Sequence, residues 1–340
     1  MAKPEHILIL RFSALGDVAM TVPVIKLLLA NYPNLQLTMV SVPFHEPLFR
    51  NIERLNFYGV EVKKDFKGVN GLLKLSKKIK KEIAFDAVAD LHDVLRTKVI
   101  RKFLAGKTAV INKGRKQKKE LTRKKNKKLR PLKTGFERYA DVFAELGFPI
   151  ILKKDEGITK ASPLITELPF DVKGKKLIGI APFAKHAAKM YPLEKMQKVV
   201  NLLQQKPDTH ILLFGGGNEA GVFENWKAGH SNINVIAGKY TFDEELNIIS
   251  QLDLMVSMDS ANMHLASLYG VPVVSVWGGT HPYLGFYGWG QDIENAVQLD
   301  IPCRPSSVFG NKACSAHGET GCMQEITPEM IIEKIDMNLA

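Results

Sequence analysis

Asp17 is the first candidate for chemistry, in the stretch LRFSALGDVAM that covers residues 10–20. An apolar run over residues 7–10 precedes it, and a short loop containing Ser and Gly leads into a segment that reads as helix. A carboxylate at a helix start caps the helix and is stabilised there by about 0.3–1 kcal/mol. A carboxylate can equally act as a general base toward a hydroxyl group. The residue types leave both roles open.

Two loops in the second half have the composition of anion-binding turns. In SMDSANMHLA, Asp259 and Ser260 end an apolar strand and open a helix that carries His264 one turn in. The free N–H groups at a helix start bind phosphate. The strand VPVVSVW ends in Gly278 and Gly279, where backbone can approach a ligand closely. Simple capping by Asp259 or Ser260, with a packed His264, is the competing interpretation.

Three further loops carry candidate ligand-binding residues. HILLFGGGNE places Gly216 and Glu219 after a strand, and APFAKHAAKMYP carries Lys185 and Lys189 before a helix begins. Cations at this position would neutralise charge that develops on a departing diphosphate. The alternative is two solvated loop lysines. Tyr240, in GKYTFDEE, is a candidate to stack on adenine, or else an ordinary surface or packing residue.

The elements that must position these groups alternate between strand and helix. HILILRF, LQLTMVSV and DAVADL read as strands of the first half, with helices over VAMTVPVIKLLLANY, GLLKLSKKIKKEI and TGFERYADVFAELG. A second series begins at KLIGIAPFA. This alternation predicts two α/β domains with parallel, right-handed sheets, whose strand ends line a central cleft. We expect an N-terminal domain over 1–160, a C-terminal domain over 172–325, and a C-terminal helix over 326–340 that could pack back on the N-terminal domain.

The composition is that of a globular protein, with 45% hydrophobic and 24% charged residues in 340. This length suits two domains. No apolar run approaches the roughly 20 residues that span a bilayer, and the N-terminus lacks the apolar region of a signal peptide. We therefore expect a cytoplasmic monomer.

The basic segment 113–130 carries eleven Lys or Arg residues against one Glu, and so most of the net charge of +12. It is either a solvated loop or a surface for an anionic partner, such as a phosphorylated glycolipid or the inner face of an anionic membrane. No aromatic residues interleave with the charges to stack on bases, so we expect no nucleic acid partner.

Three cysteines, Cys303, Cys314 and Cys322, lie close together near the C-terminus with His317 among them. Their odd number argues against a disulfide framework. Spacings of eleven and eight residues lack the C-x-x-C pair of many zinc sites. We therefore expect no metal.

Several common signatures are missing from the sequence. It contains no G-x-x-x-x-G-K-[ST], and FSALGD has a single glycine where a dinucleotide-binding turn has G-x-G-x-x-G. There is also no G-x-S-x-G nucleophile elbow. These absences argue against a P-loop enzyme, a dehydrogenase and a serine hydrolase of that type.

Four segments taken in order resemble glycosyltransferase family 9, the ADP-heptose:lipopolysaccharide heptosyltransferases. They are RFSALGDV, KMYP, GGGNE and DSANMHLA, and DAVADLHDVLRTK and KTGFERYADVFAELG extend the resemblance along essentially the whole chain. The resemblance implies a GT-B fold, with the acceptor on the N-terminal domain and the sugar nucleotide on the C-terminal one. It also implies an inverting, metal-independent transfer of a heptose from an ADP-sugar, without a cofactor, to the inner core of lipopolysaccharide.

The resemblance also implies roles for individual residues. Asp17 matches the general base, Lys189 a lysine that contacts the donor phosphates, and closure of the cleft would bring them together. The donor-side candidates are Lys185, Lys189, Gly216, Glu219, Tyr240, Asp259, Ser260, His264, Gly278 and Gly279. The acceptor-side candidates are Ser13, Arg96, Lys119 and Arg123.

The sequence departs from the family pattern at two places. Ser260, Ala261 and Asn262 stand where many relatives carry a glycine or threonine, and Ser306 stands where a second cysteine is expected. Three alternatives therefore stay open: a transferase of another nucleotide sugar, a GT-B-shaped sugar-nucleotide epimerase, and a protein that binds anionic glycans or membranes.

Overall fold

The structure, a computed structural model, describes residues 5–158, 168, 170, 172, 174–318 and 320–340. The chain divides into two compact units. The first unit comprises residues up to 113 together with 134–157, and the second comprises 114–133 together with the chain from 158 onward. The sequence indicates a linker around Asp155 to Gly174, and most of it lies outside the described residues.

The first unit is built on a five-stranded parallel sheet with the strand order β3-β2-β1-β4-β5. Its strands are β1 (His6–Leu10), β2 (Gln36–Ser41), β3 (Leu55–Gly59), β4 (Ala87–Asp90) and β5 (Lys107–Val110). Its helices are α1 (Leu15–Ala19), α2 (Thr21–Asn31), α3 (Gly68–Glu82), α4 (Leu95–Lys102) and α6 (Gly135–Glu145).

Local sequence explains these elements. Four fully buried residues make β1 a continuous apolar run, as expected for the central strand of a parallel sheet. The helix predicted over VAMTVPVIKLLLANY is divided into α1 and α2 at Met20, and Pro23 falls in the first turn of α2, where its missing N–H is not needed. Thr134 and Glu137 form a capping box at the start of α6. The chain leaves that helix through Gly147 at φ 104°, as predicted.

The second unit contains a six-stranded parallel sheet with the order β11-β10-β9-β6-β7-β8. Its strands are β6 (Lys176–Ala181), β7 (Thr209–Leu213), β8 (Ile233–Val235), β9 (Leu254–Met258), β10 (Val273–Val276) and β11 (Ala296–Val297). Its helices are α5 (Arg115–Leu121), α7 (Leu193–Gln204), α8 (Ala220–Lys227), α9 (Phe242–Ser250), α10 (Ala261–Leu268) and α11 (Pro328–Leu339). Numbered within the unit, the strands follow the Rossmann order 3-2-1-4-5-6.

The C-terminal helix α11 belongs to the second unit, which corrects the expectation that it packs back on the N-terminal domain. It begins as predicted, with Thr327 as N-cap and Pro328 in the first turn. Ile331 and Ile335 are fully buried in the same core cluster as residues of α7, β9 and β10. The apolar face of α11 is therefore buried in the core of the second unit.

The basic segment 113–130 is likewise placed differently from the expectation, because 114–133 groups with the second unit rather than with the N-terminal domain. Leu121 and Leu132 pack against Leu284. The ammonium group of Lys118 lies 3.8 Å from the ring centroid of Phe286, a cation–π contact. The segment is thus anchored by apolar contacts, and most of its remaining charged side chains are exposed.

No helix among the described residues is both long enough and apolar enough to cross a membrane.

Candidate functional site

The strand orders define one topological switch point in each sheet. It lies between β1 and β4 in the first unit and between β6 and β9 in the second. Ligands of open α/β sheets bind outside the carboxyl ends of the strands at such a point. The segments that follow these four strands contain most of the residues singled out from the sequence.

In the first unit, Asp17 is held by a buried arginine that directly follows β1. Arg11 is only 5% exposed, and its Nη2 lies 2.6 Å from Oδ2 of Asp17. The other terminal nitrogen of Arg11 donates to the carbonyl of Leu91, after β4, at 2.5 Å. The Asp17 side chain keeps 34% of its surface exposed. The result is an oriented carboxylate, paired with Arg11, that is partly open to solvent.

The capping contact of Asp17 is weaker than its contact with Arg11. The carboxylate accepts from the N–H of Ala14, at the start of α1, over a long 3.4 Å. The distance to Arg11 is shorter by most of an ångström. Hydrogen bonds beyond about 3.2 Å contribute little. Arg11, rather than the helix start, therefore fixes the orientation of the carboxylate.

His92, which the sequence did not single out, lies beside this ion pair. Its Nδ1 accepts from the N–H of Phe12, and its Nε2 lies 3.4 Å from Oγ of Ser13. Burial, reinforced by the cations of Arg11 and Lys113, lowers the pKa of His92 to about 3. The imidazole is therefore neutral near pH 7.

Replacing His92 by Gln should make the free energy of unfolding fall less steeply as the pH is lowered. The unfolded chain takes up a proton at this histidine near its ordinary pKa of about 6.5, whereas the folded chain does so only near 3. Between these values the unfolded state binds more protons, so the free energy of unfolding falls as the pH falls, by up to about 1.4 kcal/mol per pH unit. Urea unfolding from pH 7 to 4 measures this slope. An unchanged slope in the variant, or an equal change in His230→Gln, would contradict the assignment.

The acceptor-side candidates do not all fall in the first unit. Ser13 is exposed next to His92, and Arg96 is half-buried on α4. Lys119 and Arg123 are exposed on the basic segment of the second unit. The sequence placed all four on the N-terminal domain because 113–130 lies between two of its elements along the chain. Its packing contacts are with the other unit.

In the second unit, Lys189 and Asp259 meet at the switch point between β6 and β9. The Nζ of Lys189 lies 2.8 Å from Oδ2 of Asp259 and donates to the carbonyl of the same residue at 3.1 Å. Thr280, after β10, donates to the same carboxylate oxygen at 2.8 Å. Asp259 is 4% exposed at the side chain and Lys189 16%. Asp259 therefore orients the lysine, and these contacts occupy two of the three ammonium N–H groups.

The start of α10 lies next to this pair. Ser260 is the N-cap in extended conformation, and its hydroxyl lies 3.2 Å from that of Ser257 rather than on the helix N–H groups. His264 is buried one turn into the helix. Because no side chain caps the first N–H groups of α10 within the described contacts, they suit an oxyanion.

Gly278 and Gly279 are buried, and they serve close packing rather than exposure to a ligand. The N–H of Gly279 donates to the carbonyl of Ala188 at 2.7 Å. A Cβ on Gly278 would come within 2.8 Å of that carbonyl. The two glycines therefore let the loop after β10 lie against the short helical turn that carries Lys189. The sequence predicted that glycine would let a ligand approach the backbone here. In the structure, the glycines instead let the backbone at Ala188 approach.

The remaining donor-side candidates lie on loops of the same unit. Glu219 accepts from the N–H of Gly216 at 2.6 Å and thereby closes the turn after β7. Lys185 is exposed after β6, and Tyr240 is half-buried after β8. The structure gives Glu219 a local turn-forming contact that the sequence did not distinguish from a ligand contact.

Arg304 supports this region and was missed by the sequence analysis. Its Nε donates to the carbonyl of Gly278 at 2.6 Å, and its Nη2 donates to that of Thr280 at 3.1 Å. Gly310, at φ 71°, approaches the stem of Lys189 so closely that a Cβ there would lie 2.5 Å from its Cγ. The segment beyond residue 300 therefore positions the lysine and the loop behind it.

Comparisons with known proteins agree with this architecture. A sequence model of glycosyltransferase family 9 (heptosyltransferase) matches residues 72–315. Lipooligosaccharide heptosyltransferase 2 of Campylobacter jejuni is 29% identical over 185 residues, which are 49% of this chain and 55% of that protein. The chain thus spans little more than half of that relative. The lipopolysaccharide core heptosyltransferase OpsX of Haemophilus influenzae is 26% identical over 82% of this chain and 80% of its own.

Solved structures share the fold. A glycosyltransferase of family 9 from Veillonella parvula superposes with a TM-score of 0.75 at 17% identity, covering 98% of this chain and 97% of its own. The heptosyltransferase WaaC of Escherichia coli, solved with ADP, gives 0.72 at 18% identity, with 98% and 99% covered. The two Rossmann-like units are therefore those of a GT-B fold, as predicted.

Proposed function

The chain belongs to glycosyltransferase family 9, and on that premise we propose that it is an inverting glycosyltransferase that moves a heptose from ADP-heptose to the inner core of lipopolysaccharide. The observation that carries the proposal is the anion site at the switch point of the second unit. A lysine fixed by a buried carboxylate and the start of a helix lie there together. The two relatives, a lipooligosaccharide heptosyltransferase and a lipopolysaccharide core heptosyltransferase, support the choice of sugar and acceptor.

The second unit would hold the donor through its diphosphate. Lys189, oriented by Asp259, offers its remaining N–H to a phosphate oxygen, and the first N–H groups of α10 offer others. Lys185 is exposed on the same loop and adds positive charge. These groups would stabilise the negative charge that grows on the diphosphate as it departs. We therefore expect transfer without a divalent cation at the phosphates.

The first unit would supply the base. Asp17 is oriented by Arg11 and open to solvent, as a base that receives a proton from an acceptor hydroxyl must be. The neutral His92 and the hydroxyl of Ser13 are polar neighbours suited to binding a sugar hydroxyl. A carboxylate suffices because the hydroxyl becomes acidic only as the new glycosidic bond forms.

The acceptor would be recognised partly by charge. The exposed lysines and arginines of the basic segment, among them Lys119 and Arg123, suit the phosphates of a glycolipid. Peripheral contact with an anionic membrane surface at the inner leaflet follows from the same charge. On this account the segment steers and supports the acceptor, and neutralising its exposed charges should weaken use of the acceptor without weakening donor binding.

Calorimetric titration with ADP, UDP and GDP tests the donor assignment. We expect ADP to bind at least about tenfold more tightly than the other two, a difference of about 1.4 kcal/mol. A preference for UDP or GDP would overturn the assignment of an ADP-sugar. Equally weak binding of all three nucleotides would contradict the proposed anion site itself.

A further inference from the structure

Four side chains with metal-binding atoms gather in the C-terminal part of the second unit. They are Cys303, Cys314, His317 and Cys322, and their ligand atoms all lie within 4.8 Å of one another. None of these residues has a part in the proposed transfer. Three thiols and an imidazole are the ligand set of a closed structural zinc site.

Four of the distances among these atoms are close to those of a tetrahedron around one ion. The Nδ1 of His317 lies 3.2, 3.8 and 4.0 Å from the sulfurs of Cys303, Cys314 and Cys322, and the sulfurs of Cys303 and Cys322 lie 3.6 Å apart. Zn–S bonds of about 2.3 Å and Zn–N bonds of about 2.0–2.1 Å place two sulfurs about 3.8 Å apart and a sulfur and a nitrogen about 3.5 Å apart. A disulfide would need about 2.05 Å between sulfurs, and all three cysteines are free.

A tight turn brings the ligands together despite their spacing in the sequence. Cys314 and Gly318 exchange two backbone hydrogen bonds of 2.8 Å, and Gly318 has φ 73°. This turn folds His317 back toward the sulfur of Cys314, and a short helical turn over Gly321–Met323 presents Cys322. The absence of a C-x-x-C pair led us to expect no metal. In the structure, the turn at Cys314–Gly318 brings His317 and Cys314 together without such a pair.

The surroundings suit a thiolate-bound ion. Cys314 and Cys322 are buried, whereas Cys303 is half-buried and His317 exposed, which leaves a path for an ion from solvent. Lys127 donates to the carbonyls of Pro302, Cys303 and Pro305 at 3.1, 2.7 and 3.0 Å. Three thiolates and one Zn²⁺ carry a net charge of −1, which this neighbouring ammonium group offsets.

We propose that Cys303, Cys314, His317 and Cys322 form a four-coordinate Zn²⁺ site that stabilises the donor-side loops of the second unit. Binding replaces three S–H protons by three Zn–S bonds and releases the protons to solvent, without oxidation or reduction. Two ligands are followed directly by residues that contact the loop after β10. Arg304 donates to the carbonyl of Gly278, and a Cβ on Gly278 would meet Met323 at 2.6 Å.

Elemental analysis of the full chain, purified under reducing conditions without chelator, tests the site independently of any transferase activity. We expect about one zinc per chain. Chain without bound metal would overturn the proposal, and iron in place of zinc would overturn the choice of ion. Wild-type protein reconstituted with Co²⁺ should show the intense visible bands of a tetrahedral thiolate site. Their absence would contradict the coordination.

Matched variants test the ligands. His317→Ala and Cys314→Ser should each lose most of the bound zinc and lower the Tm, whereas His230→Ala, which changes a half-buried histidine of the same unit, should keep both at the wild-type value. Chelation of zinc from the wild type should lower its Tm to near that of His317→Ala and leave the variant unchanged. Full zinc content in either ligand variant would contradict a structural metal at these residues. A wild-type Tm that does not change on chelation would contradict it as well.

Discussion

Asp17→Asn should bind ADP with wild-type affinity and transfer heptose about 10²–10⁴-fold more slowly, the range over which a positioned general base contributes. The amide has the shape of the carboxylate but cannot accept the proton of the acceptor hydroxyl. It also exchanges the 2.6 Å ion pair with Arg11 for a neutral hydrogen bond. Because Asp17 lies in the first unit and the proposed diphosphate site in the second, the substitution should leave donor affinity unchanged.

Asp65→Asn is the matched control, since Asp65 is an exposed carboxylate of the same unit away from both switch-point strands. It should retain wild-type turnover. Calorimetry with ADP and steady-state rates with saturating donor separate the two effects. Unchanged turnover in Asp17→Asn would show that this carboxylate is not the base. Loss of ADP affinity would show that the substitution disturbs the fold rather than the proton transfer.

Lys189→Ala should weaken ADP binding by about 1.5–3 kcal/mol, the contribution of a charge-assisted hydrogen bond, which is roughly ten- to 150-fold in Kd. The substitution also leaves the carboxylate of Asp259 buried with Thr280 as its remaining hydrogen-bond donor among the described contacts. A buried carboxylate without its cation destabilises the fold. The Tm of the variant should therefore fall as well, and binding is measured well below it.

Two comparisons separate the phosphate contact from this loss of stability. Lys198→Ala changes an exposed lysine on α7 of the same unit and should alter neither quantity. The double variant Lys189→Ala with Asp259→Asn removes the uncompensated charge, so it should regain stability but not ADP affinity. Wild-type ADP affinity in Lys189→Ala would show that this lysine does not bind the donor. Recovery of affinity in the double variant would assign the loss to Asp259 instead.

Much of the fold could be predicted from the sequence because its central strands are continuous apolar runs. β1, β4, β6, β7, β9 and β10 were each identified from such a run, and their alternation with helices indicated parallel sheets. β3, β5, β8 and β11 were missed. KTAV begins with a lysine, and the two-residue β11 carries no periodic signal. The sequence also predicted one helix where the structure has α1 and α2. The apolar residues on both sides of Met20 gave no indication of this break.

Contacts between segments distant along the chain account for the errors of placement. The basic segment follows elements of the first unit directly, and tertiary contacts such as the packing of Leu121 and Leu132 against Leu284 group it with the second. α11 is amphipathic in sequence, but which core receives Ile331 and Ile335 is decided by tertiary packing. Neither fact can be read from local periodicity.

The candidate site shows the same division between local and distant information. Motif positions identified Asp17, Lys189 and Asp259, and the structure groups the last two through a 2.8 Å contact. Their supports were missed, because the sequence motifs did not single out Arg11, His92 or Arg304. Each contacts residues more than twenty positions away or lies in a loop without a recognised motif. The contact between Lys189 and Asp259 favours orientation of the lysine, rather than direct contact with a donor, as the proposed role of the aspartate.

The measurement that tests the account most directly is the transfer itself. The purified chain is mixed with ADP-heptose and a lipopolysaccharide inner core that lacks the heptose, and ADP release, acceptor mass and anomeric configuration are followed together. The account predicts one ADP released for each heptose gained by the acceptor, with the configuration at the anomeric carbon inverted relative to the donor. Epimerised or hydrolysed donor sugar with an unchanged acceptor would contradict it.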